Sequence, residues 1–383
     1  MLFSFILCLI TISSISATAS TLPQMHVVKD PIASLCNEAK EIIRTNPSEQ
    51  MDPFFYPALC NPFRDDIGSM RTHVSQLVYN EKFEVISIDE KTEMVYGRIP
   101  SQQWFNPETN QWEPIEGYLH SRHLMPARII TQSAPIVINT LYAPVLAAPS
   151  DNSQELCILP IGAKLHHIPS KSIGDYAEIT LLDGQTGFIN SSYIRSISAT
   201  AEDAATLRQL VCSTALTFLG MPYCWGGRSP FIGTFDAKGF SSSYPVPSSV
   251  DCSGLISLAM YSLGLNVPRN TTGQNKFATP IEPANIQPGD IIYMDGSASK
   301  SGKHVLLYLG NNTMIESTGA IGPTSGVRTV RLSDYFSVPF ATIKNGQTYD
   351  RTSGTGSFKV YCGSFFAERS KIQHMRNLFL EKV

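Results

Sequence analysis

The sequence predicts an α+β chain in which two small β-barrels precede one larger domain that places helices first and an antiparallel sheet after them. Three observations predict it. Two consecutive stretches of closely spaced short β-runs occupy the first half, the period turns helical near Ala201, and apolar strands return after residue 290. At 383 residues, 43% hydrophobic and 16% charged with a formal net charge of -3, the chain can bury a sizeable core. That charge balance offers nothing for a nucleic-acid or polyanion partner.

Residues 1–19, MLFSFILCLITISSISATA, join an apolar run to the small-residue ending Ala17-Thr18-Ala19, the pattern of a secretory leader. No Lys or Arg precedes Lys29, so the usual positive start is missing. The run is too short to span a bilayer, and no other segment is apolar enough to cross one. Export to the periplasm or cell envelope is therefore expected, with no membrane span. Of eight cysteines, loss of Cys8 with the leader leaves seven, an odd number for an exported chain. Cys36 and Cys60 read either as a disulfide or as two reduced buried thiols.

Residues 20–71 read as an N-terminal arm, with a short helical pattern at Ala33, Leu35, Ala39, Ile42 and Ile43 and then the Pro-rich MDPFFYPALCNPF. The runs VSQLVYN, EKFEVISID, EMVYGRI and EGYLHS set out a first barrel over 72–130. A second, over 131–199, carries VINTLYAPVLAAPS, CILPIGAKLHHIP, DYAEITLL and TGFINSSYI. Both sets end near a Gly-aromatic pair, Gly117-Tyr118 and Gly187-Phe188. The third domain, 200–383, opens on AEDAATLRQLVCSTALTFLG, where Leu207, Val211, Ala215 and Phe218 form one helical stripe that Gly220 stops. Its strands are DIIYM, HVLLYLG, TMIES and KVYCGSFF.

The chemistry centres on VDCSGLISLAMYSLG (250–264). Leu255, Ile256, Ala259, Met260 and Leu263 recur at helical spacing, Asp251 suits the N-cap, and Cys252 falls at the first helical position. A thiol there lies in the positive end of the helix dipole, among backbone N–H groups that favour thiolate and can hold an oxyanion. The apolar stripe does not require a core cysteine at this point, which favours a nucleophile over a structural thiol.

A cysteine nucleophile needs a base held by a third polar group. The third domain offers His304, opening HVLLYLG, and His374, in a charged tail. If Gly310-Asn311-Asn312 forms a three-residue loop, Leu309 faces Thr313 and Leu306 faces Glu316, so Glu316 shares a face with His304. A two-residue loop would send Glu316 to the opposite face.

Six segments in order, MPYCWGG (221–227), VDCSGLI (250–256), VPRNTTGQ (267–274), QPGDIIYM (287–294), KHVLLYLG (303–310) and TMIES (313–317), give the third domain a resemblance to the NlpC/P60 cysteine peptidases of bacterial cell walls. The two β-sets resemble bacterial SH3 (SH3b) domains. The full arrangement is similar to enzymes that cleave γ-D-glutamyl-diamino acid bonds in peptidoglycan stem peptides or murein fragments. The resemblance implies a papain-like fold and no cofactor. It implies that Cys252 is the nucleophile, His304 the base, Glu316 the orienting residue and Tyr223 an oxyanion donor. It places Asp251 and Ser253 at the free amino end of the substrate, Thr271 on the groove, and Tyr118, with Trp112, as candidates for its wall.

Glu316 departs from the family's usual His, Asn or Gln, and its other reading is a solvent-facing strand residue. A second departure is the insertion SPFIGTFDAKGFSSSYPVPSS (229–249), expected as a loop that narrows the groove or is a mobile excursion. Arg269 is expected to pair with surface acids, and Cys224 to pack or to pair with Cys252 as an oxidised off-state. His120 and His123 make an HxxH spacing with no further ligand set, so no metal is expected. An amidase or acyl transferase of the papain-like superfamily, or a non-catalytic wall-binding protein, are the other functional readings.

Overall fold

The computed structural model describes residues 24–37, 73–127, 134–230, 233–236, 239–242, 248–296, 302–319, 325–352 and 356–381. The leader, Cys60 and most of the expected arm lie outside these residues. Seven strands form a first antiparallel sheet: β1 (Gln24–Val28), β2 (Ile32–Cys36), β3 (His73–Val78), β4 (Lys82–Asp89), β5 (Met94–Asn106), β6 (Gln111–His120) and β7 (Leu124–Pro126). Their spatial order is β3-β2-β6-β5-β4-β1-β7. A second sheet contains β8 (Ala134–Ile138), β9 (Tyr142–Leu146), β10 (Glu155–Pro160), β11 (Lys164–Ile173), β12 (Tyr176–Thr180), β13 (Thr186–Asn190) and β14 (Ile194–Ser196). Its order, β10-β9-β13-β12-β11-β8-β14, repeats the first position by position.

Two expectations for this half need correcting. Ala33 and Leu35 are strand residues, because β2 pairs with β3 and lays both side chains in the core of the first sheet. The first unit thus begins near residue 24 rather than 72, which short-range helical spacing could not reveal. Strand pairing in each unit runs as an open path rather than a closed ring.

The third unit packs helices α1 (Ala204–Leu216) and α2 (Cys252–Tyr261) against one face of a sheet. Between them the insertion contributes a hairpin of β15 (Gly233–Asp236) and β16 (Gly239–Ser242), where only a loop was expected. Helix α3 (Thr271–Phe277) is followed by β17 (Thr279–Pro280), β18 (Ile291–Gly296), β19 (Gly302–Gly310), β20 (Thr313–Thr318), β21 (Gly326–Arg331), α4 (Leu332–Tyr335), β22 (Thr348–Asp350) and β23 (Ser357–Ser364). The sheet runs β17-β23-β18-β19-β20-β21, with β22 paired to β23. Ile291, Val305, Leu307 and Ile315 meet α1 and α2 on one face, while Ile292, Met294, Leu306 and Met314 meet Leu332, Tyr335 and Phe336 on the other. Burial on both faces explains the near-continuous apolar strands.

The expected charged tail is instead helix α5 (Arg369–Glu381), which buries Ile372, Met375 and Phe379 against the domain. His374 stacks on Phe277 there, away from any role as a base. Helix α2 is buried on every side rather than amphipathic, its serines included. Gly254 is required in its first turn, since a Cβ would stand 2.0 Å from the Gly227 carbonyl oxygen.

Candidate active site

Asp251 caps α2, its Oδ1 accepting from the Gly254 N–H at 2.6 Å, and Cys252 is the first helical residue. The cap places the thiol at the positive helix end. A backbone bridge from Tyr223 to Val250 holds Tyr223 alongside, buried. Burial, followed by the charges of Cys252 and Asp251, raises the Tyr223 phenol well above its ordinary range, so it stays a neutral O–H donor.

His304 stands on β19 and Glu316 on β20. Asn311 and Asn312, at φ 49° and 56°, make a two-residue turn of the left-handed kind that Asn tolerates. Taken alone, that turn length would have put Glu316 on the far face. A bulge between Tyr308 and Gly310 adds back one residue, so Leu307 faces Ile315 and the expected register is restored. His304 Nε2 then lies 2.6 Å from Glu316 Oε2, and the Cys252 thiol is close enough to act on the imidazole. With Nε2 taken by Glu316, Nδ1 is the ring nitrogen left for the thiol. Burial pushes His304 down, but the hydrogen bonds and charges of Cys252 and Glu316 outweigh it and raise the imidazole to about 9.

Glu316 is itself buried, which excludes a solvent-facing strand residue. Burial favours its neutral form. His304 and Arg328 overcome this and hold the carboxyl below its ordinary value. Arg328 stands directly opposite Glu316 in the β20–β21 register and reaches Oε1 with Nε and Nη2, each at 2.9 Å. The Tyr335 hydroxyl donates to Oε2 at 3.3 Å. Sequence reasoning missed both partners, although GVRTVR (326–331), the next strand-like run after TMIES (313–317), carried the signal of an opposite-charge cross-strand pair.

The expectation for Arg269 is overturned. It is 3% exposed and grips Asp251 through two bonds, Nη1 to Oδ1 at 3.0 Å and Nη2 to Oδ2 at 2.9 Å. It also donates to Ser253 Oγ at 3.1 Å, the Gly227 carbonyl at 3.1 Å and Ser75 Oγ of the first sheet at 2.9 Å. Asp251 further accepts from the Gly226 N–H at 3.0 Å and from the Ser253 hydroxyl at 3.0 Å. Its charge is therefore spent within the protein. Gln274 ties this turn to α2, donating to the Ser253 carbonyl at 2.9 Å.

Thr271 begins α3 next to its cap, Asn270. Tyr118 lies on β6 with its ring 4.9 Å from that of Tyr96. In register Cys36 pairs with both Tyr118 and His73, and His73 Nδ1 approaches the Trp225 carbonyl at 2.6 Å, so the first sheet meets the WGG turn there. Trp112 is 43% exposed and packs edge-on against Phe105 and Phe277, bridging the first unit to α3 rather than filling a barrel. The Cys224 thiol meets the Trp225 carbonyl at 3.8 Å, inside its own turn. His120 approaches Glu93 at 3.6 Å and His123 approaches Asp30 at 2.5 Å. Cys36 is buried, and its expected partner Cys60 lies outside the described residues.

Residues 220–337 match the NlpC/P60 family. The chain carries an NlpC/P60 domain. It is 27% identical over 213 residues to "Dipeptidyl-peptidase 6" of Lysinibacillus sphaericus, a match covering 53% of this chain and 69% of the relative. It is 36% identical over 104 residues to "Peptidoglycan endopeptidase RipB" of Mycobacterium tuberculosis, covering 27% of this chain and 40% of that protein. The crystal structure of an NlpC/P60 family protein from Bacillus cereus ATCC 10987 superposes with a TM-score of 0.58 at 18% identity, over 87% of this chain and 98% of that one. That likeness extends the shared fold beyond the NlpC/P60 domain to the sheets in front of it.

Proposed function

We propose that the chain is an exported cysteine peptidase that cleaves the γ-D-glutamyl-diamino acid bond of peptidoglycan stem peptides or murein fragments, releasing a dipeptide. One observation carries the reading: a cysteine at the first position of a helix acts on a histidine whose Nε2 is held 2.6 Å from a buried carboxylate. The peptidoglycan and dipeptidyl-peptidase relatives support the substrate class and the size of the released piece. The repeated strand order of the two front units supports reading them as SH3b-like, with Tyr118 on the first of them.

In this reading the Cys252 thiolate attacks the γ-carbonyl of D-Glu while His304 is imidazolium. The Cys252 N–H and the Tyr223 hydroxyl hold the developing oxyanion. His304 gives its Nδ1 proton to the leaving amine, leaving L-Ala-γ-D-Glu as a thioester on Cys252. Water then loses a proton to His304, adds to the thioester and frees the dipeptide, and the imidazolium–thiolate pair is restored. Glu316 fixes the imidazole's tautomer and stabilises its charge. Thr271 lines the groove.

Asp251 and Ser253 receive the amino end of the substrate by resemblance, and in the folded chain both already serve Arg269, so an ammonium shares Asp251 with a guanidinium. The free-amino-end requirement is thus separable from hydrolysis. Mass spectrometry of L-Ala-γ-D-Glu-meso-diaminopimelate with the wild-type chain and Cys252→Ala, beside an N-acetylated copy, tests both. Release of L-Ala-D-Glu, lost in the variant, is expected. Equal cleavage of the acetylated peptide removes the amino-end requirement, and no cleavage of either removes the hydrolase reading in favour of acyl transfer or wall binding.

A further inference from the structure

Arg328 and Tyr335, which both hold Glu316, also line a cavity of about 560 Å³ whose wall includes Arg331, Arg351 and a single carboxylate, Asp334. Three guanidiniums against one acid leave it positive. Even with Glu316 counted as the neutraliser of Arg328, one positive charge remains. Arg351 is the best prepared of the three. Its guanidinium centre sits 4.5 Å from the Tyr335 ring centroid and 4.8 Å from that of Phe358, and it donates to the Tyr335 hydroxyl. Its Nε is buried and has no hydrogen-bond partner among the described residues. A buried donor without an acceptor is costly, and a guanidinium fixed by aromatic stacking is preorganised for a planar or tetrahedral oxyanion.

We propose that this cavity binds a small molecule through a carboxylate or phosphate group, held by Arg331, Arg351 and the outer edge of Arg328. The volume suits such a ligand, since small-molecule sites span roughly 300–1,000 Å³. Arg328 would then serve two oxyanions at once, the ligand and Glu316. Occupancy of the cavity is thereby coupled to the carboxylate that holds His304, and the coupling is reciprocal.

The site is tested without turnover, on full-length protein carrying Cys252→Ala, so that the outcome does not depend on the proposed hydrolysis. Isothermal calorimetry at constant ionic strength is run with inorganic phosphate and, separately, with succinate. Saturable binding of at least one is expected, weakened roughly tenfold or more by Arg331→Gln. Thr329→Asp, which adds a carboxylate to the same wall, is expected to abolish it. Both substitutions fall at exposed side chains on the edge strand β21, and unchanged melting temperatures confirm the fold. The tighter of the two probes assigns the ligand's head group. Absence of saturable binding for both, or binding that survives both substitutions unchanged, overturns the proposal.

Discussion

His304 and Glu316 meet at 2.6 Å across a hairpin whose two-residue turn alone would separate them, because a bulge at Leu309 cancels the slip. The pair is thus set by backbone geometry before any side chain chooses a rotamer. Glu316 lies among Arg328, Tyr335 and His304 with no solvent exposure of its side chain, so its charge acts in a low-dielectric setting.

The first prediction follows from that charge. If imidazolium is the working form, kcat/KM falls at alkaline pH as His304 loses its proton near pH 9. Glu316→Gln keeps a hydrogen-bonding group and removes the charge. It is expected to move the alkaline limb to lower pH and to lower kcat, on the order of 10²-fold. A limb that stays in place in a pH profile of the variant would mean that Glu316 only packs.

The same hairpin supplies a second prediction, on register rather than charge. Deleting Leu309 removes the bulge together with its extra residue and leaves the Asn311-Asn312 turn, so Tyr308 still faces Met314 and Glu316 should stay on the face of His304. Retained activity is expected, and urea titration should show none of the roughly 3–5 kcal/mol loss that an unpaired buried carboxylate would bring. Loss of activity with a drop of that size would show instead that the register slips and that the bulge itself keeps Glu316 beside His304.

What the sequence could and could not disclose follows the same division between local and distant. The Asp251 cap, Cys252 at the first helical position and the stripe of α1 are fixed by neighbours three or four residues away, and they were legible. The side of the sheet taken by Glu316 was correct, although the loop length behind it was wrong, because bulges leave no short-range mark. Arg269 was misjudged since its partners lie 18 residues away at Asp251 and 194 away at Ser75. The strand at 32–36 looked helical because its partner, β3, follows only after a gap of 36 residues, 37–72, and local spacing cannot report a long-range pairing.

Arg269 carries the third prediction. Replacing it by Met leaves the buried Asp251 carboxylate without its cation at the cap of the helix that bears Cys252. Removing one partner of a buried pair costs about 3–5 kcal/mol. Arg269→Met should therefore lower stability by that order and reduce activity through displacement of α2. Arg269→Lys, which returns the charge without the two-pronged geometry, should recover part of the stability. Urea titration of the three proteins decides it, and equal stability of wild type and Arg269→Met would place the anchoring of Asp251 elsewhere.

The last prediction concerns the junction of the front units with the catalytic one. Arg228 and Glu81, each 1% exposed, pair at 2.9 Å across that junction, and Lys164 of the second sheet is buried nearby. Lys164 Nζ has no hydrogen-bond partner among the described residues and lies over the rings of Tyr261 and Phe379. Burial, only partly offset by Glu81, lowers the ammonium from 10.5 to about 7. Below pH 7 both folded and unfolded chains carry this proton, and the fold bears the whole desolvation cost. Between about 7 and 10.5 the unfolded chain binds a proton that the folded chain does not, so stability contributed by this site rises with pH across that window. Lys164→Met should then stabilise by about 1–3 kcal/mol at pH 6. The gain should shrink as pH climbs toward the unfolded value, because the wild-type lysine is then neutral in both states. Chemical denaturation of both proteins at several pH values reads this directly. A constant difference would assign the effect to packing against Tyr261 and Phe379 rather than to the charge.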